Sequence, residues 1–238
     1  MKNLSIITHF YNHTKKVLEQ IEYFEHLQNS ISEEVEFIIV DDCSTEILDF
    51  KKNSLNLKLL RINTDIKWNQ GGARNLGFFS ASGKWALAFD IDQKLTAEAL
   101  PFIIHNINLF DSNTLYYLAA KNVYNSIDNV HSDFHVNSFL VNITQFKLIG
   151  MYDEDFSGNY GYEDIYMGHM WDANGGKRAV LKEPFFFDEN LNFRTENLDR
   201  NLEKNHELGL SKLNSLQKNK INGVIRPSPF MRYHWNMK

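Results

Sequence analysis

The sequence predicts an α/β fold: a mixed, mainly parallel sheet flanked by helices, with a helical extension toward the C-terminus. Three observations point there. Apolar runs of strand length alternate with stretches in which apolar residues recur every three or four positions. The first strand, helix and second strand form a βαβ unit, whose two strands should be parallel with a right-handed crossover. Three apolar runs end in polar or acidic residues, and a parallel sheet gathers such ends along one edge.

Residues 4–8 (Leu-Ser-Ile-Ile-Thr) read as the first strand and run into a polar, aromatic turn, His9-Phe10-Tyr11-Asn12. A helix follows, with Thr14 as its cap and Val17, Ile21, Phe24 and Leu27 as its apolar face. Residues 36–40 form a second buried strand that ends in Asp41-Asp42-Cys43-Ser44-Thr45. Residues 55–62 form a third strand, 63–72 a polar loop, and 73–81 a short helix stopped near Gly83. The apolar run 85–89, bounded by Gly83 and by Asp90 and Asp92, reads as a central strand. Residues 96–110 are helical in pattern, with Pro101 in the first turns or at a kink.

The second half is less regular. Strands are expected at 115–120 and 136–143, and a short helix at 144–149 ended by Gly150. An acidic, aromatic loop at 151–162 leads to a helix at 163–173 that closes near Gly175 and Gly176. Short strands at 179–181 and 184–187 precede a polar helix at 198–218. The tail carries Pro227, Pro229, Phe230, Tyr233, His234 and Trp235.

The chain of 238 residues is 43% hydrophobic and 23% charged, a globular balance, without internal repeat or linker-like tract, so one domain over 1–238 is the economical reading. A net charge of −5 with scattered Lys and Arg argues against a nucleic-acid partner. The single Cys43 excludes an intrachain disulfide, and Met1-Lys2-Asn3-Leu4 carries no secretory signal, so a cytoplasmic location is expected. No apolar run approaches the roughly 20 residues of a spanning helix, which leaves peripheral membrane contact open. Gly-x-Gly-x-x-Gly, Walker and Gly-x-Ser-x-Gly patterns are missing, and His9, His169, His206 and His234 are not spaced as a zinc site.

The strand ends carry the chemistry. Thr8 to Asn12, Asp41-Asp42 and Asp90-Ile91-Asp92 should share one sheet edge, where several acids with few bases call for a cation or for ligand donors. Asp-x-Asp at a strand end suits Mg²⁺ or Mn²⁺, hard cations that need only one or two carboxylates beside substrate phosphates. If the chain turns after Asp90, the two carboxylates diverge, one toward a metal and one toward a sugar hydroxyl. Arg74 follows Gly71-Gly72 at a helix start, a place that attracts anions, and Glu163-Asp164 opens a helix, where acids are favoured. Trp68, Trp171 and Trp235 are either packing residues or ring-stacking platforms.

In order along the chain stand Leu4 to Asn12, Val40-Asp-Asp-Cys-Ser-Thr45, Asn69-Gln-Gly-Gly-Ala-Arg-Asn-Leu-Gly77, Ala81-Ser-Gly-Lys-Trp85 into Phe89-Asp-Ile-Asp92, and Gly161-Tyr-Glu-Asp164. This series resembles the family 2 glycosyltransferases, which have the GT-A (Rossmann-like) fold, over about residues 3–180. The resemblance implies a nucleoside-diphosphate-sugar donor, a glycan or glycolipid acceptor, a Mn²⁺ or Mg²⁺ ion and inversion at the anomeric carbon. It divides the chain into a donor half, about 1–95, an acceptor half, about 96–190, and a C-terminal tail. Carried over by position, Thr8, His9, Phe10, Asp41 and Asp42 would hold the nucleoside, with Gly72 and Arg74 by the base or phosphates. Asp90 and Ile91 would meet the ribose or sugar, Asp92 with Asp90 the metal, and Asp164 or Glu163 would be the general base.

Three departures stand out. Cys43 occupies the usual glycine position of Asp-Asp-Gly-Ser, and Asp-Ile-Asp is a less typical Asp-x-Asp. The stretch after Phe187, Asp188-Glu-Asn-Leu, holds no histidine, so a third metal contact falls to His234, His206 or water. The alternative function is a catalytically silent GT-A domain that binds a nucleotide sugar or carbohydrate; turnover separates the two.

Overall fold

The structure, a computed structural model, describes residues 3–28, 34–49, 55–120, 124–125, 130–131, 134–187, 199–221 and 233–237. In chain order these form β1 (Leu4–Phe10), α1 (Thr14–Gln28), β2 (Val35–Asp41), β3 (Leu57–Ile62), α2 (Gln70–Ser80), β4 (Trp85–Ala88), β5 (Lys94–Leu95) and α3 (Ala99–Asn106). Then follow β6 (Thr114–Ala120), β7 (Tyr124–Asn125), β8 (Val130–His131), β9 (Phe134–Asn142), α4 (Ile143–Leu148), a 3₁₀ turn (Glu154–Phe156), α5 (Glu163–Ala173), β10 (Lys177–Phe187), α6 (Glu203–Ile221) and β11 (Trp235–Met237). Among the described residues nine strands make one sheet in the order β11-β3-β2-β1-β4-β9-β6-β10-β5, and β7 pairs with β8 apart from it.

β3, β2, β1 and β4 run parallel, as their apolar composition requires for strands covered on both faces. β9 is antiparallel to β4 and β6, and β10 returns parallel to β6. Alternate residues of β1 and β2 point to opposite faces and enter two apolar clusters. Ile7, Ile38 and Val40 meet α2, α4 and α5 on one face; Ile6, Phe37 and Ile39 meet α1 and α3 on the other. Phe24 of α1 stacks on Phe37 with ring centroids 4.5 Å apart, and each such buried ring contributes about 2–3 kcal/mol.

Several elements differ from the sequence expectation. The helix expected at 73–81 begins at Gln70, so Gly71 and Gly72 belong to it. A β-carbon at Gly72 would lie 2.3 Å from Oδ1 of Asn69, the residue that caps the helix, and 2.8 Å from the Tyr233 ring, crowding that helix propensity does not register. The helix expected at 96–110 is shortened to Ala99–Asn106, with Pro101 in its first turn. The two short strands at 179–187 are one strand, β10, with a register shift between Leu181 and Phe186. β11 was not foreseen: the tail adds antiparallel to β3 and covers that sheet edge. The helix expected at 198–218 begins at Glu203 and runs to Ile221, residues 199–202 being irregular. The stretch 188–198 and Pro227, Pro229 and Phe230 lie outside the described residues. Among the described residues, no helix is long and apolar enough to cross a membrane.

Candidate active site

The carboxyl ends of β1, β2 and β4 and the start of α5 open on one cavity of about 620 Å³. His9, Phe10, Asp42, Asp90, Ile91, Asp92, Glu163 and Asp164 line it. Residues from four separate motifs thus meet because parallel strands end on the same side.

The turns that present these groups are tied to one another. Cys43 has φ +62° and Asn12 has φ +56°, so the chain reverses sharply after both β1 and β2. Ser44 N–H donates to Asp41 Oδ1 at 2.8 Å, Asn12 N–H to Ser44 Oγ at 2.8 Å, and Thr45 N–H to Asn12 Oδ1 at 2.7 Å. Arg61 of β3 pairs with the other Asp41 oxygen. Asp41 therefore braces the turn, and it does not line the cavity. Its neighbour Asp42 does, accepting from Asn69 Nδ2 at 2.9 Å. Burial, with Asp41 and Asp65 nearby, raises the Asp42 carboxyl to about 8. Such a group is set to hydrogen-bond a ligand in a dry site.

β4 stops at Ala88, and the chain turns over Asp90 to Gln93, closed by Gln93 N–H donating to Asp90 C=O at 3.0 Å. This turn separates the two carboxylates. Asp90 is taken by the buried guanidinium of Arg74, which lies 5.4 Å from the Tyr152 ring centroid, and His135 stands 3.8 Å from its other oxygen. Burial works against ionised Asp90, yet Arg74 above all, with His135, holds its carboxyl below the ordinary value. Burial and the charge of Asp90 raise Asp92 to about 7. Burial and Arg74 push the His9 imidazole down to about 3, so it is neutral. Its buried Nδ1 has no hydrogen-bond partner among the described residues.

The acids of α5 arrive by a strained route. Gly161 (φ +83°) and Tyr162 (φ +72°) are both left-handed, which swings the chain into the helix. Asp164 is half-buried at the cavity and its Oδ1 accepts from Ile165 N–H at 2.7 Å. Glu163 is buried beneath, against Gly71 of α2; burial and Asp164 raise its carboxyl to about 7. Asn75 of α2 anchors the preceding segment, donating to Tyr152 C=O and Glu154 Oε1, each at 2.9 Å.

Besides Asp41, four expected site residues stand outside the cavity lining. Thr8 is buried in β1, Gly72 receives the Tyr233 hydroxyl on its carbonyl, and Arg74 works from below through Asp90. His234 is exposed at the head of β11, four strands across the sheet from β4. Among the described residues no three His, Cys, Asp or Glu side chains gather into a metal cage. Sequence reasoning missed His135, Tyr160 and Arg200, which line the cavity, and treated Trp68 as ambiguous. Asn69 stood inside a quoted motif without a role, and only its contact with Asp42 reveals one.

The family described as Glycosyl transferase family 2 matches residues 5–158, more than half of the chain. The chain belongs to that family. A curated relative, the poly(ribitol-phosphate) beta-N-acetylglucosaminyltransferase TarS of Staphylococcus aureus strain Mu50, is 32% identical over 104 residues, which are 42% of this chain and 18% of that protein. The chain thus spans under a fifth of the curated relative it matches. Among solved structures, S. aureus TarS 1–349 in complex with UDP-GlcNAc has a TM-score of 0.63 at 20% identity, covering 82% of this chain and 62% of that one. Mannosyltransferase PcManGT from Pyrobaculum calidifontis, in complex with GDP-Man and Mn²⁺, has a TM-score of 0.59 at 16% identity, covering 78% and 56%. At these identities the likeness is one of fold, and the expected GT-A fold of this family 2 member is borne out.

Proposed function

We propose that this chain transfers a sugar from a nucleoside-diphosphate-sugar to a hydroxyl of a glycan or glycolipid, with inversion. One observation carries the reading: Asp42, Asp92 and Asp164, from three distant segments, line a single cavity large enough for a nucleotide sugar. The nucleotide-sugar complexes of TarS and PcManGT support such a donor, and the Mn²⁺ of PcManGT supports a divalent ion.

In this reading Phe10 and Asp42 hold the nucleoside, with the unpartnered His9 Nδ1 available to it. Arg74 holds Asp90 in place for the ribose or sugar, and Asp41 and Gly72 act through the backbone they position. The donor set fits a hard cation: the half-buried Asp92 carboxylate lines the cavity, and one Asp90 oxygen is not engaged by Arg74. Bound there, Mn²⁺ or Mg²⁺ would stabilise the charge on a departing nucleoside diphosphate. Asp164, half-buried at the opening, accepts the proton of the acceptor hydroxyl. Glu163 sits deeper beside Arg74 and positions the helix start rather than reaching the acceptor.

The test is a panel of nucleotide sugars assayed for hydrolysis and transfer with Mn²⁺, Mg²⁺ or chelator. Asp164→Asn is expected to keep nucleotide affinity and lose about 10²–10⁴ in kcat. Asp92→Ala is expected to lose metal-dependent nucleotide binding. Robust transfer by both variants would overturn the roles; tight nucleotide-sugar binding without turnover on any acceptor would favour a silent binding domain.

A further inference from the structure

The mouth of the cavity differs from its floor. Buried Asp42 and Glu163 lie at the floor, whereas Lys67 and Arg200 are exposed lining residues. Three chain segments meet at this mouth: the loop before α2 brings Lys67 and Trp68, the loop before α5 brings Tyr160, and the segment entering α6 brings Arg200.

These segments are fastened together. Gly158 N–H donates to Lys67 C=O at 2.8 Å. The Trp68 indole N–H donates to Asp199 C=O at 2.6 Å. The Trp68 and Tyr160 rings stand 4.6 Å apart at 54°, and the Arg200 guanidinium lies 5.4 Å from the Trp68 ring centroid. Trp68 holds φ +50°, a left-handed backbone that a bulky residue keeps only where its surroundings enforce it, and such residues cluster at ligand sites. Among the described residues neither Lys67 nor Arg200 is paired with a carboxylate.

The chemistry of the four side chains is specific. A guanidinium stacked on an aromatic face keeps its N–H edge free, and that planar fork matches two oxygens of a phosphate. A tilted ring pair offers flat apolar area to the C–H face of a sugar or to a polyol chain, with the hydroxyls left to water. The acidic floor repels an uncompensated anion, and the donor diphosphate would be met by the divalent ion that Asp92 and Asp90 would hold. The mouth cations are therefore left for a second anion.

We propose that Lys67, Trp68, Tyr160 and Arg200 form an acceptor subsite for a phosphate-bearing sugar or polyol chain, with Arg200 as the residue that sets this specificity. The role as acceptor rests on the glycosyltransferase reading; the binding of the anionic chain does not.

Calorimetric titration of the full chain tests it, with three probes: a phosphodiester-linked glycerol phosphate oligomer, neutral maltotetraose, and UDP or GDP with Mn²⁺. The wild-type protein is expected to bind the oligomer at least about ten-fold tighter than maltotetraose, and less tightly as salt rises toward about 0.5 M. Arg200→Gln is expected to weaken oligomer binding about ten-fold and to leave nucleotide affinity unchanged. Lys67→Gln, which removes a point charge, is expected to weaken it less. Both residues are exposed, so unchanged melting temperatures should accompany these losses. The proposal is overturned if the oligomer does not bind, if maltotetraose binds as well, if Arg200→Gln has no effect, or if nucleotide affinity falls in parallel. Oligomer binding that depends on Arg200, in a protein that neither binds nor turns over any nucleotide sugar, would sink the glycosyltransferase reading and leave the subsite standing.

Discussion

Cys43 shows how one residue records a local demand of the backbone. Its φ of +62° is the conformation that the glycine of the usual Asp-Asp-Gly-Ser pattern takes without strain, and the hydrogen bonds of Asp41 and Asn12 to residues 44 and 45 hold it there. Cys43→Gly is expected to change stability by between about 0 and +1 kcal/mol, relief of strain being offset by greater freedom of the unfolded chain. Cys43→Val, with a branched β-carbon, is expected to lose about 1–2 kcal/mol. Denaturant midpoints of the two variants check both values; equal stability would show that the turn is not strained. At this scale the sequence was informative where a residue type has one dominant use, as with Pro101 in the first turn of a helix. It was uninformative where neighbours decide the use. Asp41 and Asp42 are adjacent and identical, yet Arg61 claims one and the cavity receives the other.

At the scale of elements, the end of the sheet away from the cavity is held by a buried carboxylate. Glu36 of β2 accepts from Ser5 Oγ at 2.6 Å, from Ser82 N–H at 2.6 Å and from Ser82 Oγ at 2.9 Å, and pairs with Lys58 at 2.8 Å. It thereby ties β1, β3 and the link between α2 and β4 to β2. Burial opposes the ionised form, but Lys58, Ser5 and Ser82 outweigh it and hold the carboxyl below its ordinary 4.5. A depressed folded-state pKa contributes stability that is fully present above about 4.5 and is lost as pH falls through the lower, folded value. Glu36→Gln is expected to cost about 1–3 kcal/mol at neutral pH and to flatten the decline of stability below pH 4.5. Chemical denaturation as a function of pH measures this, and an unaltered slope would reject it. On the site side, Asn205 of α6 donates to the carbonyls of Phe156, Asn159 and Gly161 at 3.0, 2.9 and 2.7 Å. Asn205→Ala frees three acceptors on the loop that delivers Glu163 and Asp164. It is expected to lower stability by about 1–3 kcal/mol and to lower kcat more than nucleotide affinity.

For the whole molecule, the tail closes what the central strands begin. β11 pairs with β3, and buried Tyr233 just before it donates its hydroxyl to Gly72 C=O at the start of α2, the helix that carries Arg74. Tyr233→Phe is expected to cost about 1 kcal/mol by leaving that contact unmade. Tyr233→Ala is expected to cost about 3 kcal/mol or more by opening a void beside Gly72. Thermal unfolding with and without nucleotide separates the two effects: a loss of nucleotide-induced stabilisation beyond the loss of stability would tie the tail to the site.

The sequence by itself determined the layered sheet, the parallel pairing of its first two strands and the edge where the acids collect. Those features follow from local periodicity and from the single way in which consecutive parallel strands connect. Only the tertiary structure decided which acid faces the cavity, that Arg74 belongs to Asp90, and that α6 and β11 complete the site and the sheet. These depend on side-chain contacts between separate segments, from Arg74 with Asp90 to Trp68 with Asp199 and Gly72 with Tyr233, for which neither periodicity nor a short motif carries a signal.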